Sequence, residues 1–78
     1  MNTKIGFIGC GNMAKGLIKG LLDKRIVKKD NILASDIDAS KLRYIKNKYN
    51  INISKSNKGV AKNCEVIILA IKPGPTRL

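Results

Sequence analysis

The sequence has no histidine and no tryptophan, only three aromatic residues, and five acidic residues against sixteen basic ones. Without histidine there are no imidazole metal ligands, no histidine general base and no Ser-His or Cys-His nucleophile pair within the chain. The longest purely apolar run, Val66 to Ile71, is six residues, far short of the roughly 20 that span a bilayer as a helix. The start, Met1-Asn2-Thr3-Lys4-Ile5-Gly6, lacks the apolar stretch of a secretory signal, so a cytoplasmic location is expected. An apolar content of 44% is too high for a disordered basic tail. Seventy-eight residues make one small domain or part of one, and a chain near this size buries only about 60% of its unfolded surface.

What is abundant is positive charge, with a net +11. Clustered lysine and arginine would suggest phosphate neutralisation along a nucleic acid. Here thirteen lysines are spread along nearly the whole chain, and Lys, Ile and Asn together make up 33 of the 78 residues. That pattern reads as a compositional bias that places lysine on solvated faces. Phe7, Tyr44 and Tyr49 follow no repeating spacing that would build a stacking platform for single strands. Nucleic-acid binding is therefore not expected, although attraction to small anionic ligands is.

The chain divides by hydrophobic period. Ile5, Phe7 and Ile8 form a short strand-like run closed by Gly9-Cys10-Gly11. From Asn12 the spacing turns helical, with Met13, Leu17, Ile18, Leu21 and Leu22 as the expected buried stripe and a fraying end near Asp23-Lys24-Arg25. Asn31 to Ser35 predicts a second strand, and Asp38 the N-cap of a second helix that buries Leu42, Ile45 and Tyr49. Ile51-Asn52-Ile53 predicts a brief edge strand, and Ser56 caps a third helix over 57–63 that buries Val60 and Ala61. Val66 to Ile71 is continuously apolar, the pattern of a strand covered on both faces of a parallel sheet, and Pro73-Gly74-Pro75 stops it.

The resulting order β-α-β-α-β-α-β predicts an α/β fold: a parallel sheet with right-handed crossovers, Rossmann-type but partial, with strand order 3-2-1-4. That order puts a topological switch point between the first and fourth strands. The loops after Ile8 and after Ile71 then face one crevice at the carboxyl ends, where nucleotides bind.

Gly9-Cys10-Gly11-Asn12-Met13-Ala14 reads G-x-G-x-x-A between a predicted strand and a predicted helix. Gly9 permits a sharp turn, Gly11 lets a pyrophosphate approach the backbone, and Ala14 lets the helix pack closely on the sheet. The free N–H groups and positive dipole end of that helix complete an anion site. Asp36, 25 positions after Gly11, sits where an acid would accept from a ribose 2′-hydroxyl and repel a 2′-phosphate; Lys41 and Arg43, just beyond, are the alternative for a 2′-phosphate. The balance leans to NAD. Cys10 and Cys64 fall near opposite ends of adjacent parallel strands, about 20 Å apart, too far for a disulfide. Cys10 lies beside a helix N-terminus that could activate a thiol, but its simpler role is to fill the loop.

The opening "KIGFIGCGNMAKGLIKGLL" and the closing "CEVIILAIKPG" resemble pyrroline-5-carboxylate reductase over the chain up to about Gly74. The resemblance implies hydride transfer from NADPH or NADH to the C=N bond of 1-pyrroline-5-carboxylate, giving L-proline. It also implies cofactor contacts at Ile8, Gly9, Cys10, Gly11, Asn12 and Met13, at Asp36 at the second strand end, at Asn57 in "SNKGV", and at Ala70, Ile71, Lys72 and Pro73. Members of that family are several times longer and carry a helical C-terminal domain that dimerises and supplies most of the imine substrate's pocket. Residues 1–78 are thus expected to be an incomplete N-terminal NAD(P)-binding domain, inactive as a reductase alone. The alternatives are another Rossmann reductase or dehydrogenase of the "GFIGxGNM" type, or a non-catalytic basic nucleotide-binding module.

Overall fold

The computed structural model describes residues 3–70. Four short parallel strands, β1 (Ile5–Ile8), β2 (Ile32–Ser35), β3 (Asn52–Ser54) and β4 (Val66–Leu69), form one sheet in the order β3-β2-β1-β4. Three helices join them: α1 (Asn12–Asp23), α2 (Ala39–Tyr49) and α3 (Asn57–Asn63). This is the predicted topology. β1 is central, with Phe7 in register between Ala34 of β2 and Ile68 of β4.

Alternation along the strands sorts the two faces. Ile5, Phe7, Ile32 and Ala34 point into a cluster with Ala14 and Ile18 of α1, Leu42 and Ile45 of α2, and the flanking Val27 and Ile51. On the opposite face α3 lies against β1 and β2, and Val60 is fully buried there. Gly6 makes that approach possible. A Cβ at Gly6 would overlap Val60 Cγ1 and come within 2.8 Å of Cys64 Sγ, so the helix seats directly on the β1 backbone.

Local signals set the element ends. Asp38 Oδ1 accepts from Ser40 N at 2.9 Å and caps α2, while Ser56 Oγ accepts from Gly59 N at 3.2 Å and caps α3, both as predicted. Arg25 (φ 54°) and Asn50 (φ 55°) close α1 and α2 in the left-handed region, which asparagine tolerates best after glycine. A single 3-10 turn, Lys29–Asn31, delays the start of β2 to Ile32, one residue later than the spacing suggested.

Three burial expectations need correction. The stripe of α1 that enters the core is Ala14 and Ile18 with Leu21 and Leu22 packed beside it; Met13 and Leu17 stand on the outer flank, 54% and 41% exposed. The small Ala14 faces the sheet, so the helix is rotated away from its largest side chains. Ala61 is exposed, because the short α3 turns only Val60 inward. β4 is not covered on both faces: Ile68 packs against the core, but Val66, Ile67 and Leu69 are exposed, and among the described strands β4 pairs with β1 alone. Tyr49 is half-buried, packed at the rim of the core.

The contact between Gly6 and α3 predicts a specific sensitivity. Gly6→Ala should lower stability by about 1–3 kcal/mol through overpacking, read as a reduced urea midpoint at unchanged slope. An unchanged midpoint would show that α3 can move away from β1 at no cost.

Candidate cofactor-binding site

At the carboxyl ends of β1 and β2 the chain leaves the sheet in two loops that share one cavity with Asn57 of α3 and with Ala70, just after β4. Gly9 turns out of β1 with φ 105°, a conformation that side chains resist, and its N–H donates to Ser35 O at 2.8 Å. Across β1, Ala70 N donates to Ile8 O at 2.8 Å, so the end of β4 is tied to the same turn.

The Asp36 carboxylate braces this mouth. Its Oδ2 accepts from Cys10 N at 2.7 Å and its Oδ1 from Asp38 N at 2.8 Å, linking the glycine loop to the start of α2. Gly11 then serves as the N-cap of α1 in an extended conformation (φ −76°, ψ −171°) that any residue adopts. α1 has no side-chain cap; its first intrahelical bond is Lys15 N to Gly11 O at 3.1 Å, which leaves the preceding N–H groups of the first turn for an outside acceptor. Among the described residues a Cβ at Gly11 would find only Ala70 O, at 3.8 Å. The protein's own packing therefore does not require glycine there, whereas an approaching pyrophosphate would.

The cavity has a volume of about 330 Å³ and is lined by Ile8, Gly9, Gly11, Asp36, Asn57 and Ala70, all expected from the sequence, together with Ile37, Asp38 and Lys41. Ile37 is fully solvent-exposed and Lys41 brings a cation from the first turns of α2; Arg43 is not part of the lining. Ile37 was overlooked because an isoleucine between two aspartates reads as a loop residue. Its place directly after the acidic strand end was the available signal. Asn12 and Met13 open α1 and are exposed. Ile71, Lys72 and Pro73 lie outside the described residues.

Cys10 contributes its backbone rather than its thiol. The side chain is fully buried and donates to Ser35 O at 3.6 Å. Burial, reinforced by the Asp36 charge and opposed by Lys41 and Lys15, pushes its pKa up to about 11. Cys10 and Cys64 are both free thiols. Among the described residues no three His, Cys, Asp or Glu side chains converge on a possible metal position, and no helix is long and apolar enough to cross a membrane.

A parallel 3-2-1-4 sheet with a glycine turn, an uncapped helix N-terminus and an acid at the β2 end defines a Rossmann-type dinucleotide-binding unit. The family model described as NADP oxidoreductase, coenzyme F420-dependent, matches residues 4–77, and the chain belongs to that family. Pyrroline-5-carboxylate reductase of Methanosarcina acetivorans is 39% identical over 72 residues, which is 92% of this chain and 27% of the relative. The Escherichia coli enzyme of the same name is 36% identical over 74 residues, 95% of this chain and 28% of its own length. Among solved structures, a pyrroline-5-carboxylate reductase from Coxiella burnetii superposes with a TM-score of 0.85 at 32% identity, covering 94% of this chain and 27% of that one. The Plasmodium falciparum pyrroline carboxylate reductase, solved with NADP bound, gives 0.73 at 30% identity, covering 90% of this chain and 24% of that one. The chain thus spans about a quarter of the length of these relatives.

The surroundings of Cys10 predict an inert thiol. At pH 8 a group with this pKa is ionised in only about one molecule in a thousand. Iodoacetamide should therefore spare Cys10 in the folded chain and label it once urea unfolds the protein. Rapid labelling of Cys10 under native conditions, followed by peptide mass spectrometry, would contradict its placement.

Proposed function

We propose that residues 1–78 are the N-terminal NAD(P)-binding portion of a pyrroline-5-carboxylate reductase. The observation that carries this reading is the open space over Gly11 at the uncapped start of α1, beside the Asp36 carboxylate. The pyrophosphate would lie against Gly9 and Gly11 and the first-turn N–H groups of Asn12 and Met13. Ile8 and Ala70 line the crevice where the dinucleotide crosses the switch point, and the neighbouring Ile71, Lys72 and Pro73 are proposed to border the nicotinamide end. Cys10 holds the loop through its N–H to Asp36. When bound, the reduced nicotinamide supplies the hydride for a C=N bond; the chain's own residues bind and orient it.

Asp36 and Asn57 flank the proposed adenosine ribose. Each Asp36 oxygen accepts one hydrogen bond within the chain, and a carboxylate oxygen has capacity for another. Ribose 2′- and 3′-hydroxyls suit those acceptors, whereas a 2′-phosphate meets a like charge that Lys41 only partly offsets. We therefore propose NADH as the preferred partner, with NADPH accepted more weakly. The imine substrate and any homo-oligomer are assigned to the whole enzyme, and the 78-residue chain is expected to bind cofactor without turning over 1-pyrroline-5-carboxylate, because hydride transfer needs an acceptor held in place.

Calorimetric titration of the 78-residue chain tests both levels. Gly11→Val should weaken NADH binding at least tenfold while the folded state persists, its loss in stability limited to the roughly 1 kcal/mol of a poorer N-cap. Retained affinity would remove the phosphate-loop assignment. Asp36→Asn, which cancels the charge, should narrow the NADH over NADPH preference; an unaltered ratio would show that Asp36 does not choose the cofactor.

A further inference from the structure

Ser35 is the one buried polar side chain of the core among the described residues, 1% exposed at the end of β2. Its backbone already serves the glycine loop, since Ser35 O accepts from Gly9 N at 2.8 Å and from Cys10 Sγ at 3.6 Å. Its side chain reaches the other way: Ser35 Oγ donates to Asn57 Oδ1 at 2.7 Å. Asn57 is the first residue of α3, exposed, and part of the cavity lining.

We propose that Ser35 is a positioning residue for dinucleotide binding, acting through Asn57; the proposal rests on the dinucleotide reading above. An asparagine amide offers an acceptor on one side and two donors on the other, and on an exposed helix start both orientations are open to it. A hydroxyl can accept as well as donate, but the buried Ser35 Oγ has no other partner among the described residues, so its proton is satisfied only when Oδ1 faces it. By giving that proton to Oδ1, Ser35 selects the orientation in which the amide oxygen faces the sheet and the NH2 group faces the cavity. Nδ2 donates to no other described residue, so its two N–H groups remain for ribose or phosphate oxygens, which are acceptors. The Ser56 cap fixes the backbone of the same turn, so the Asn57 side chain is held at both its root and its tip. One buried hydroxyl thus links the β2 end, which holds the glycine loop through Ser35 O and leads into Asp36, to the α3 start on the other side of the sheet.

The experiment is a thermodynamic cycle on the 78-residue chain, titrated with NADH and followed by the fluorescence of the reduced nicotinamide. Ser35→Ala should weaken binding about three- to tenfold, the range of one net hydrogen bond. Asn57→Ala should weaken it by at least as much. In the double variant, loss of Ser35 should add nothing beyond Asn57→Ala, because a residue acting through Asn57 has no effect once Asn57 is gone. A purely structural role for Ser35 would instead persist in that background. Asn57→Asp, at an exposed position that does not threaten folding, keeps the acceptor for Ser35 but replaces the donors with an anion; it should bind more weakly than Asn57→Ala. If Ser35→Ala fails to fold by circular dichroism, Ser35→Cys, close in volume but a weak donor, is read in its place with the same expected loss. Unchanged affinity of Ser35→Ala, multiplicative losses in the double variant, or native affinity of Asn57→Asp would each overturn the proposal. If Gly11→Val still abolishes binding in those cases, the dinucleotide reading stands without it. A folded, unsubstituted chain that binds no NADH overturns both.

Discussion

Where β1 and β2 end, the chain departs in two directions, and a single carboxylate keeps the two departures together. Asp36 accepts from Cys10 N on the glycine loop and from Asp38 N at the entry to α2, at 2.7 and 2.8 Å. Hydrogen bonds to an ionised acceptor are roughly twice as strong as neutral ones, which suits a joint that must hold loop backbone still. The position of Cys10 fixes Gly11, Gly11 starts α1, and α1 then brings Ala14 and Ile18 onto the sheet. The same carboxylate borders the cavity. The side chain that braces the loop is therefore also one that a bound ligand would meet, so Asp36 cannot be replaced without also touching the loop.

Most of this fold could be read along the chain because its signals are local. The switch from alternating to helical spacing at Asn12, the caps at Asp38 and Ser56, and the glycines at 9 and 11 each act within a few residues of themselves. Cys10 was legible in outline, as a small residue filling a turn, but its inward thiol and raised pKa depend on Ser35 and Asp36, 25 and 26 positions away. Met13 and Leu17 misled because apolar spacing gives the period of a helix but not its rotation about its axis; the smaller Ala14 decides that by where it fits. β4 misled for a related reason. A continuous apolar run says what a strand tolerates on its faces, whereas exposure depends on what lies beside it. The Ser35–Asn57 pair had no local signature and emerges only when the end of β2 and the start of α3, 22 positions apart, meet at one end of the sheet.

Gly6 illustrates a constraint of a different kind. Glycine within a strand usually costs conformational entropy and removes packing. Here that loss is offset by closeness: α3 rests against bare backbone, and Val60 and Cys64 occupy the place of a side chain. Because α3 carries Asn57 at its first position, the depth at which the helix sits on β1 also sets how far that amide projects towards the cavity mouth.

Among the described residues the one ion pair is the exposed Lys19–Asp23 contact on α1. Little of the +11 charge is cancelled by pairing within those residues, so much of it is projected outwards. Such a field extends about 8 Å at physiological ionic strength before it is screened. Its consequence is kinetic: it enriches anions of every kind around the molecule and speeds their encounter, without distinguishing one anion from another. Under the proposed function, capture and recognition are thereby divided between two parts of the sequence, a lysine-rich surface that is indifferent to which anion arrives and a glycine turn braced by an acid that is not.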